Sequence, residues 1–368
     1  MQMKRSFALS LCLAALAAAA LACNLPNDAP TPAPLPTQTA TPEPRGVVKG
    51  FGISPRGFPE DYSRFPEFLE EVAGLPNSGV MFNAGWREDL FGGTDAGQIP
   101  NTAAAIMEQA GVYGYTPIIV FGWRADDNTV LLSIPENDTN NWRNAEAQAL
   151  FEQMLVDFAG RYQPPYLFLG NESDIYWTNR PEDYGRWLEF YNRAYDAVKA
   201  VSPETLVGPN FQFERTSGQG DFSRWTEPQW GALEAHDLSK VDIVGLTLYP
   251  WTGVASPEEI PDDYFAPLVE RIGEIPIAIT ETGWPADPLG LNTAWQASPE
   301  AQVRYVSALE RTLDGLNVEI LNWAFLYPLE RSDQTEIFWQ SFGALGLYDH
   351  DGNRLPVYDV WVEFLPSP

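Results

Sequence analysis

The stretch "PYLFLGNE" (residues 165–172) decides the fold, because it joins a buried strand to an abruptly polar end. Its apolar run "YLFL" (166–169) stops at Gly170 and is followed at once by Asn171 and Glu172. A run that is apolar at every position predicts a strand covered on both faces, as in a parallel sheet between helices. An amide and a carboxylate directly after such a strand predict a functional site at this end of the sheet.

Seven further apolar runs of the same kind alternate with amphipathic, helix-like segments. They cover residues 47–54, 78–86, 116–123, 205–213, 241–250, 276–284 and 318–328. Eight strands that alternate with helices predict an α/β protein with a single (β/α)8 TIM barrel over residues 47–368. A doubly wound open sheet is the alternative, and it predicts a glycine-rich phosphate loop opening a helix after the first strand. The first run has the glycines, in "GFGISPRG", but no helical pattern directly behind them.

Composition and charge restrict the class of partner. The chain has 368 residues, of which 45% are hydrophobic, and 50 acidic residues against 22 basic ones give a net charge of -28. Such a protein repels phosphates, so we expect no nucleic-acid partner and no electrostatic attraction to anionic lipid. Aromatic residues make up 13% of the chain and include 13 tryptophans; tryptophans beyond the needs of a core often line a ligand groove, although they also simply fill cores.

The N-terminus is typical of an exported protein. A basic head and an apolar run end at Cys23, and residues 1–22 resemble a bacterial lipoprotein signal peptide. We therefore expect lipid on Cys23, a Pro- and Thr-rich tether over residues 23–46, and a cell-surface location with membrane contact only through this anchor. An ordinary signal peptide cleaved near Ala22 is the alternative. Only Cys12 and Cys23 are present, so the mature chain has no internal disulfide.

Polar and aromatic side chains follow the predicted strands at the end where a TIM barrel carries its active site. Glu172 follows the fourth strand and Glu281 lies at the end of the seventh. The remaining candidates are Trp86, Arg87, Trp123, Asn171, Trp177, Asn210, Tyr249, Trp284 and Trp323. Aromatic faces stack on sugar rings, amides bridge hydroxyls, and two carboxyl groups suit the cleavage of a glycosidic bond. These residue types together predict carbohydrate chemistry.

The chain resembles the clan A glycoside hydrolases, which are retaining glycosidases on a (β/α)8 barrel. The resemblance rests on Asn171-Glu172 after the fourth strand and on "ITETGWP" (279–285) at the seventh, and it extends over about residues 47–366. It implies that Glu172 is the general acid/base and Glu281 the nucleophile. It also implies that Tyr249 contacts the nucleophile and that Trp323 forms the floor of the site.

The resemblance leaves the specificity open. The segment "ITETGWP" is similar to the nucleophile segment of plant-type β-1,3-glucanases, and the endo-β-1,4-galactanases are a second candidate relative without their full set of motifs. We expect a monomeric, endo-acting enzyme for a β-linked polysaccharide or oligosaccharide, with no metal and no organic cofactor. Many clan members carry a histidine near the third or sixth strand. His236 and His350 fit neither position, and we expect Arg87 or the pair Trp123-Arg124 in that role.

Three alternatives remain at this point. Glu172 by itself is also explained as the polar end of a strand. A glycan-binding surface lipoprotein that has lost its activity would keep the barrel and the aromatic residues. A two-lobed solute-binding lipoprotein would need a hinge, and the single series of eight strand–helix units argues against it.

A retaining enzyme requires carboxyl groups roughly 5 to 5.5 Å apart, with one ionised and the other protonated. We expect Arg87 or Tyr249 near Glu281 to favour its charged form.

Overall fold

The computed structural model describes residues 46–87, 95–124, 132–330 and 337–364. The predicted signal peptide (1–22), the lipid attachment at Cys23 and all of the predicted tether except Gly46 lie outside these ranges. Within them, no helix combines the length and the apolar character needed to cross a membrane.

Eight parallel strands form a closed barrel. They are β1 (Val48–Gly52), β2 (Ser78–Gly85), β3 (Thr116–Gly122), β4 (Tyr166–Leu169), β5 (Leu206–Gln212), β6 (Val244–Leu248), β7 (Ile277–Thr282) and β8 (Val318–Trp323). Each strand pairs with its sequence neighbours, and β1 also pairs with β8, which closes the sheet. All eight apolar runs are therefore strands, and the predicted (β/α)8 TIM barrel is confirmed. The open doubly wound alternative is excluded, since an open sheet leaves its edge strands unpaired.

Helices surround this barrel. Those in the described part of the chain are α1 (Phe65–Ala73), α2 (Asn101–Tyr113), α3 (Ala145–Tyr162), α4 (Ser173–Asn179), α5 (Pro181–Val201), α6 (Phe213–Ser217), α7 (Gly231–Glu234), α8 (Ala266–Ile272), α9 (Pro299–Leu313), α10 (Ile337–Phe342) and α11 (Val357–Glu363). Side-chain caps mark the start of two of the long helices, α3 and α9. The Asn144 side chain accepts a hydrogen bond from the Ala147 amide at the start of α3, and Ser298 does the same for the Ala301 amide at the start of α9.

Side chains alternate along each strand between the barrel interior and the layer beneath the helices. The interior cluster consists of Val48, Met81, Ile118, Val120, Tyr166, Phe168, Ile243, Ala278 and Ile320. Towards the carboxyl ends of the strands the interior positions become polar, with Asn210 on β5, Thr247 on β6 and Asn322 on β8, all fully buried. A candidate residue therefore reaches the site only if it lies on the interior face of its strand.

An irregularity in β7 changes this alternation. Ile279 lies opposite Leu246 and Glu281 lies opposite Thr247, so Thr280 is an extra residue that has no opposite residue in the register of β6. Regular alternation would place Glu281 on the same face as Ile279, under the helices. A β-bulge of this kind re-aims a side chain. It allows both Thr280 and Glu281 to point to the interior, where each makes a hydrogen bond described below.

Candidate active site

The turn after β4 holds Glu172 in an unusual backbone conformation. Gly170 has φ of 80° and Glu172 has φ of 49°, both in the left-handed region, just before α4 begins. Few residues other than glycine adopt this conformation, and such strain is concentrated at functional sites. The turn directs the Glu172 carboxylate towards β6, where the Thr247 hydroxyl donates a hydrogen bond to Oε1 at 2.8 Å. Nη2 of Arg124 lies 4.0 Å from Oε2.

Gly170 is required here for two separate reasons. Its φ is positive, and a Cβ atom at this position would lie 2.8 Å from Nε1 of Trp123, which is buried. A side chain would therefore be strained by its backbone and would also push against the core beneath the turn.

We expect Gly170→Ala to lower the free energy of unfolding by more than about 1–2 kcal/mol, because an L residue in the left-handed region costs roughly that amount before any clash. It should also lower activity, because the displaced turn carries Asn171 and Glu172. Gly315→Ala is the matched control, since Gly315 has φ of 73° with no neighbour within 4 Å of an added Cβ. Urea unfolding compares the two, and equal losses of stability would contradict a role for the contact with Trp123.

Glu281 faces this turn from β7. The Tyr249 hydroxyl donates a hydrogen bond to its Oε2 at 2.7 Å, so the predicted contact between Tyr249 and Glu281 is present. The pKa of Glu281 is raised to about 7: burial is the largest cause, the negative charge of Glu172 acts in the same direction, and the Tyr249 hydrogen bond opposes both effects. The two carboxyl groups therefore interact electrostatically.

The protonation differs from the one expected from the sequence. We expected Tyr249 or Arg87 to keep Glu281 ionised, but burial and the charge of Glu172 outweigh the single hydrogen bond from Tyr249. Both effects favour the protonated form of Glu281 in the free protein.

We expect kcat/KM for hydrolysis to fall above about pH 7, because the alkaline limb of its pH profile reports ionisation in the free enzyme, here of Glu281. Below that pH Glu281 holds a proton that can be passed on to the leaving group, and above it that proton is lost. Tyr249→Phe removes a hydrogen bond to the charged form of Glu281, so it should move the limb to higher pH. A rate profile that stays flat across the alkaline range would contradict this assignment.

A hydrogen-bond network connects Asn171, the neighbour of Glu172, to residues on β5, β7 and β8. Nδ2 of Asn210 donates to Oδ1 of Asn171 at 2.7 Å, and the Thr280 hydroxyl donates to Oδ1 of Asn210 at 3.1 Å. Asn322 on β8 donates to the Thr280 carbonyl at 2.9 Å. This network fixes the orientation of the Asn171 amide beside Glu172. It also brings together Asn171 and Asn210, which the sequence predicted as separate strand-end residues.

Two further buried carboxyl groups, Glu214 and Asp174, are hydrogen-bonded to Tyr249 and Gln212 and were not predicted as site residues. Glu214 accepts hydrogen bonds from the Tyr249 amide at 3.0 Å, the Tyr264 hydroxyl at 2.9 Å and Nε2 of Gln212 at 2.6 Å. Asp174 accepts one from the Gln212 amide at 2.9 Å. Burial raises the pKa of Glu214 to about 7 and that of Asp174 to about 6. Gln212 thereby links the segment after Glu172 to the backbone that carries Tyr249.

The structure corrects the placement of four predicted sugar-binding tryptophans. Trp86, Trp123, Trp284 and Trp323 are at most 1% exposed. Trp123 packs edge-on against Trp142, and Trp323 packs against Trp361 of α11, so both rings lie between the strands and the helices. The strand ends carry these indoles on the outer face, where they fill the core instead of presenting a face to a ligand.

The structure does not test the predicted roles of two other candidates, Trp177 and Arg87. Trp177 on α4 is partly exposed, with its ring 5.3 Å from that of Tyr184. Arg87, just after β2, is partly buried. Contact of either residue with a sugar stays a prediction. In the described ranges, no three side chains of His, Cys, Asp or Glu are grouped so as to hold a metal ion.

Comparison with solved structures supports the fold. An exo-β-1,4-mannosidase from an Opitutaceae bacterium matches 87% of this chain with a TM-score of 0.60 at 16% identity, and the match covers 59% of that chain. A GH5_18 protein of Bifidobacterium longum, in complex with Manβ1-4GlcNAc, has a TM-score of 0.58 at 14% identity, with 87% of this chain and 80% of the other covered. A β-D-glucuronidase of Dictyoglomus thermophilum has a TM-score of 0.52 at 11% identity, with coverage of 87% and 50%.

At these identities the likeness establishes the barrel alone. The chain spans between half and three-fifths of the length of the mannosidase and the glucuronidase. No protein-family model matches the chain, and no curated protein is similar to it. Function therefore has to be inferred from the site.

Proposed function

We propose that this chain is a retaining glycoside hydrolase that cleaves β-linked glycans by double displacement. The observation that carries the proposal is the coupled pair Glu172 and Glu281, held at the carboxyl ends of β4 and β7 by Thr247 and Tyr249. The left-handed backbone at Glu172 and the bulge that turns Glu281 inward give additional support, since each backbone irregularity lies where a carboxylate is presented. The solved structures with the same fold include a β-1,4-mannosidase and a β-glucuronidase, in line with a β-linked substrate.

Each carboxyl group has one role in each of two steps. In the first, Glu281 attacks the anomeric carbon while Glu172 gives its proton to the departing oxygen, and a covalent glycosyl-enzyme forms. In the second, Glu172 removes a proton from water, which attacks the same carbon and releases the sugar with its original configuration. Asn171, oriented by Asn210, is placed to bind a sugar hydroxyl next to the bond that breaks.

The resting protonation must change before the first step. The proton that Glu281 holds without substrate has to be on Glu172 when the bond breaks, because only an ionised Glu281 attacks. The Tyr249 hydroxyl stabilises that ionised form. A sugar bound between the two groups supplies a leaving oxygen that accepts a hydrogen bond from protonated Glu172, and this favours the transfer.

A hydrolysis screen tests the proposal. Aryl β-glycosides and β-1,3-, β-1,4- and β-1,6-linked glucans, galactans, mannans and xylans are incubated with the protein, and the released sugars are followed by proton NMR. We expect one class to be cleaved with the β-anomer formed first. Release of the α-anomer would contradict double displacement, and no hydrolysis of any member would leave glycan binding as the better account.

We also propose that the enzyme is held at the outer face of a bacterial membrane by lipid on Cys23. The support is the basic head and apolar run before Cys23 and the Pro- and Thr-rich segment after it. Mass spectrometry of the chain purified from membranes decides the question, because an unmodified Cys23 or a chain recovered only from the medium would contradict the anchor.

A further inference from the structure

A row of aromatic rings leads outward from the candidate active site. It begins at Tyr249, whose hydroxyl contacts Glu281. The ring of Trp251 lies 6.1 Å from that of Tyr249, Trp295 lies 4.8 Å from Trp251, and Phe222 lies 6.3 Å from Trp295. The row therefore joins the loops after β6, β7 and β5, all at the end of the barrel where the carboxylates lie.

The outer end of this row is exposed. In the described ranges four large hydrophobic residues are exposed, and Phe222 is the only aromatic one, at 41%. Val112 and Val201 lie near the carboxyl ends of α2 and α5, which is the opposite end of the barrel. Phe222 thus presents a ring to solvent on the same side as Glu172 and Glu281, several ring contacts away from them.

The loop that carries Phe222 is held in place. Gly220 and Trp225 exchange two backbone hydrogen bonds of 3.0 and 2.9 Å, which closes a short loop around Phe222. The Arg215 guanidinium lies 4.5 Å over the Trp225 ring at the base of this loop. The backbone beside it packs so tightly on the β6 loop that a Cβ on Gly253 would lie 1.8 Å from the Gln219 carbonyl oxygen. Because these contacts hold the backbone of the loop, little backbone entropy is lost when a ligand stacks on the Phe222 ring.

We propose that Phe222, backed by Trp295, is a distal sugar-binding platform for a β-glycan chain that extends out of the active site. The proposal rests on the proposed function, and it deepens it, because a platform several rings from the carboxylates is useful only to a substrate of several sugars. Sugar rings expose apolar C–H faces that stack on aromatic rings. A net charge of -28 argues against an anionic membrane as the occupant, whereas a neutral glycan is not repelled.

Binding without turnover is the direct test. In a Glu281→Gln background, native gels containing laminarin, glucomannan or pectic galactan report affinity as retardation of migration. We expect at least one polysaccharide to retard the protein, and Phe222→Ala to weaken that binding about five- to tenfold, which corresponds to the loss of one stacking contact. Phe222→Tyr keeps the ring and should restore binding, whereas Phe222→Leu keeps apolar area alone and should not. Val112→Ala, at the far end of the barrel, is the matched control and should bind like the parent.

The outcomes separate the platform from the enzyme activity. Retardation by no polysaccharide, or equal retardation of the parent and Phe222→Ala, overturns the platform even if aryl β-glycosides are hydrolysed. Weaker binding by Phe222→Ala supports the platform even if the wild-type protein cleaves nothing, and in that case it is the proposed hydrolase activity that fails. Equal weakening by Val112→Ala would also overturn the platform, because the effect would then be unrelated to the position of the ring.

Discussion

Glu281→Gln is expected to lower kcat for every cleaved glycan by at least about 10⁴-fold, because the residual amide cannot form the covalent intermediate. The loss should be the same for sugar and for aryl leaving groups, since attack itself is abolished. Protein stability should not fall. Glu281 already holds a proton below about pH 7, and glutamine resembles that neutral form without the repulsion from Glu172.

Circular dichroism and urea unfolding verify that the Glu281→Gln protein is folded. Glu108→Gln, a substitution on the solvent-exposed side of α2, is the control for loss of one carboxylate and should retain full activity. Activity of Glu281→Gln within tenfold of wild type would remove Glu281 from the role of nucleophile, and with it the double-displacement mechanism.

Glu172→Gln is expected to have the second largest effect, and its size should depend on the leaving group. General acid catalysis contributes roughly 10²–10⁴-fold, so cleavage of a sugar–sugar bond should fall by about that factor. An activated aryl leaving group such as 4-nitrophenolate departs without a proton, so its release should be much less affected. Glutamine still accepts the hydrogen bond from Thr247, which keeps the left-handed turn in place.

The contrast between the two variants decides the assignment of roles. In the Glu172→Gln protein, the second step becomes limiting for activated substrates, because no base activates water. A small anion such as azide needs no base, so added azide should accelerate turnover and produce a β-glycosyl azide. An equal loss on all leaving groups with no response to azide would contradict the assignment of Glu172 as acid/base.

Much of the architecture was predictable because buried parallel strands leave a clear pattern. The apolar run 166–169, which ends in Asn171 and Glu172, is β4, and the other seven runs are the remaining strands. Long-range pairing of Glu172 with Glu281 was also predictable, since the barrel brings the ends of β4 and β7 to one face.

The tryptophans show where sequence reasoning was insufficient. A position at a strand end does not by itself predict contact with the ligand, because the face of the strand decides whether a side chain enters the barrel. Trp123 lies on the outer face and Arg124, one residue later, reaches Glu172. The strand period of two places these neighbours on opposite faces.

Other parts of the site left a weaker signal or none. Thr247 is a polar residue inside an otherwise apolar strand, and that was a usable hint of the hydrogen bond to Glu172. Glu214 gave no hint, because its burial depends on Tyr249 and Tyr264 from distant segments. The protonation of Glu281 likewise depends on how completely the fold removes water from its carboxyl group. The pattern of residue types along the chain does not predict this burial.

The extra residue in β7 has a consequence for engineering. Thr280 lengthens β7 by one position relative to β6. Glu281 therefore points to the interior because of this bulge, whereas the regular alternation of side chains along a strand would point it outward. Grafting the two glutamates onto a regular barrel scaffold would therefore send one of them into the helix layer. A successful transplant must carry the segment Thr280-Glu281-Thr282 with its one extra residue, because the backbone of this segment places the Glu281 carboxylate opposite Glu172.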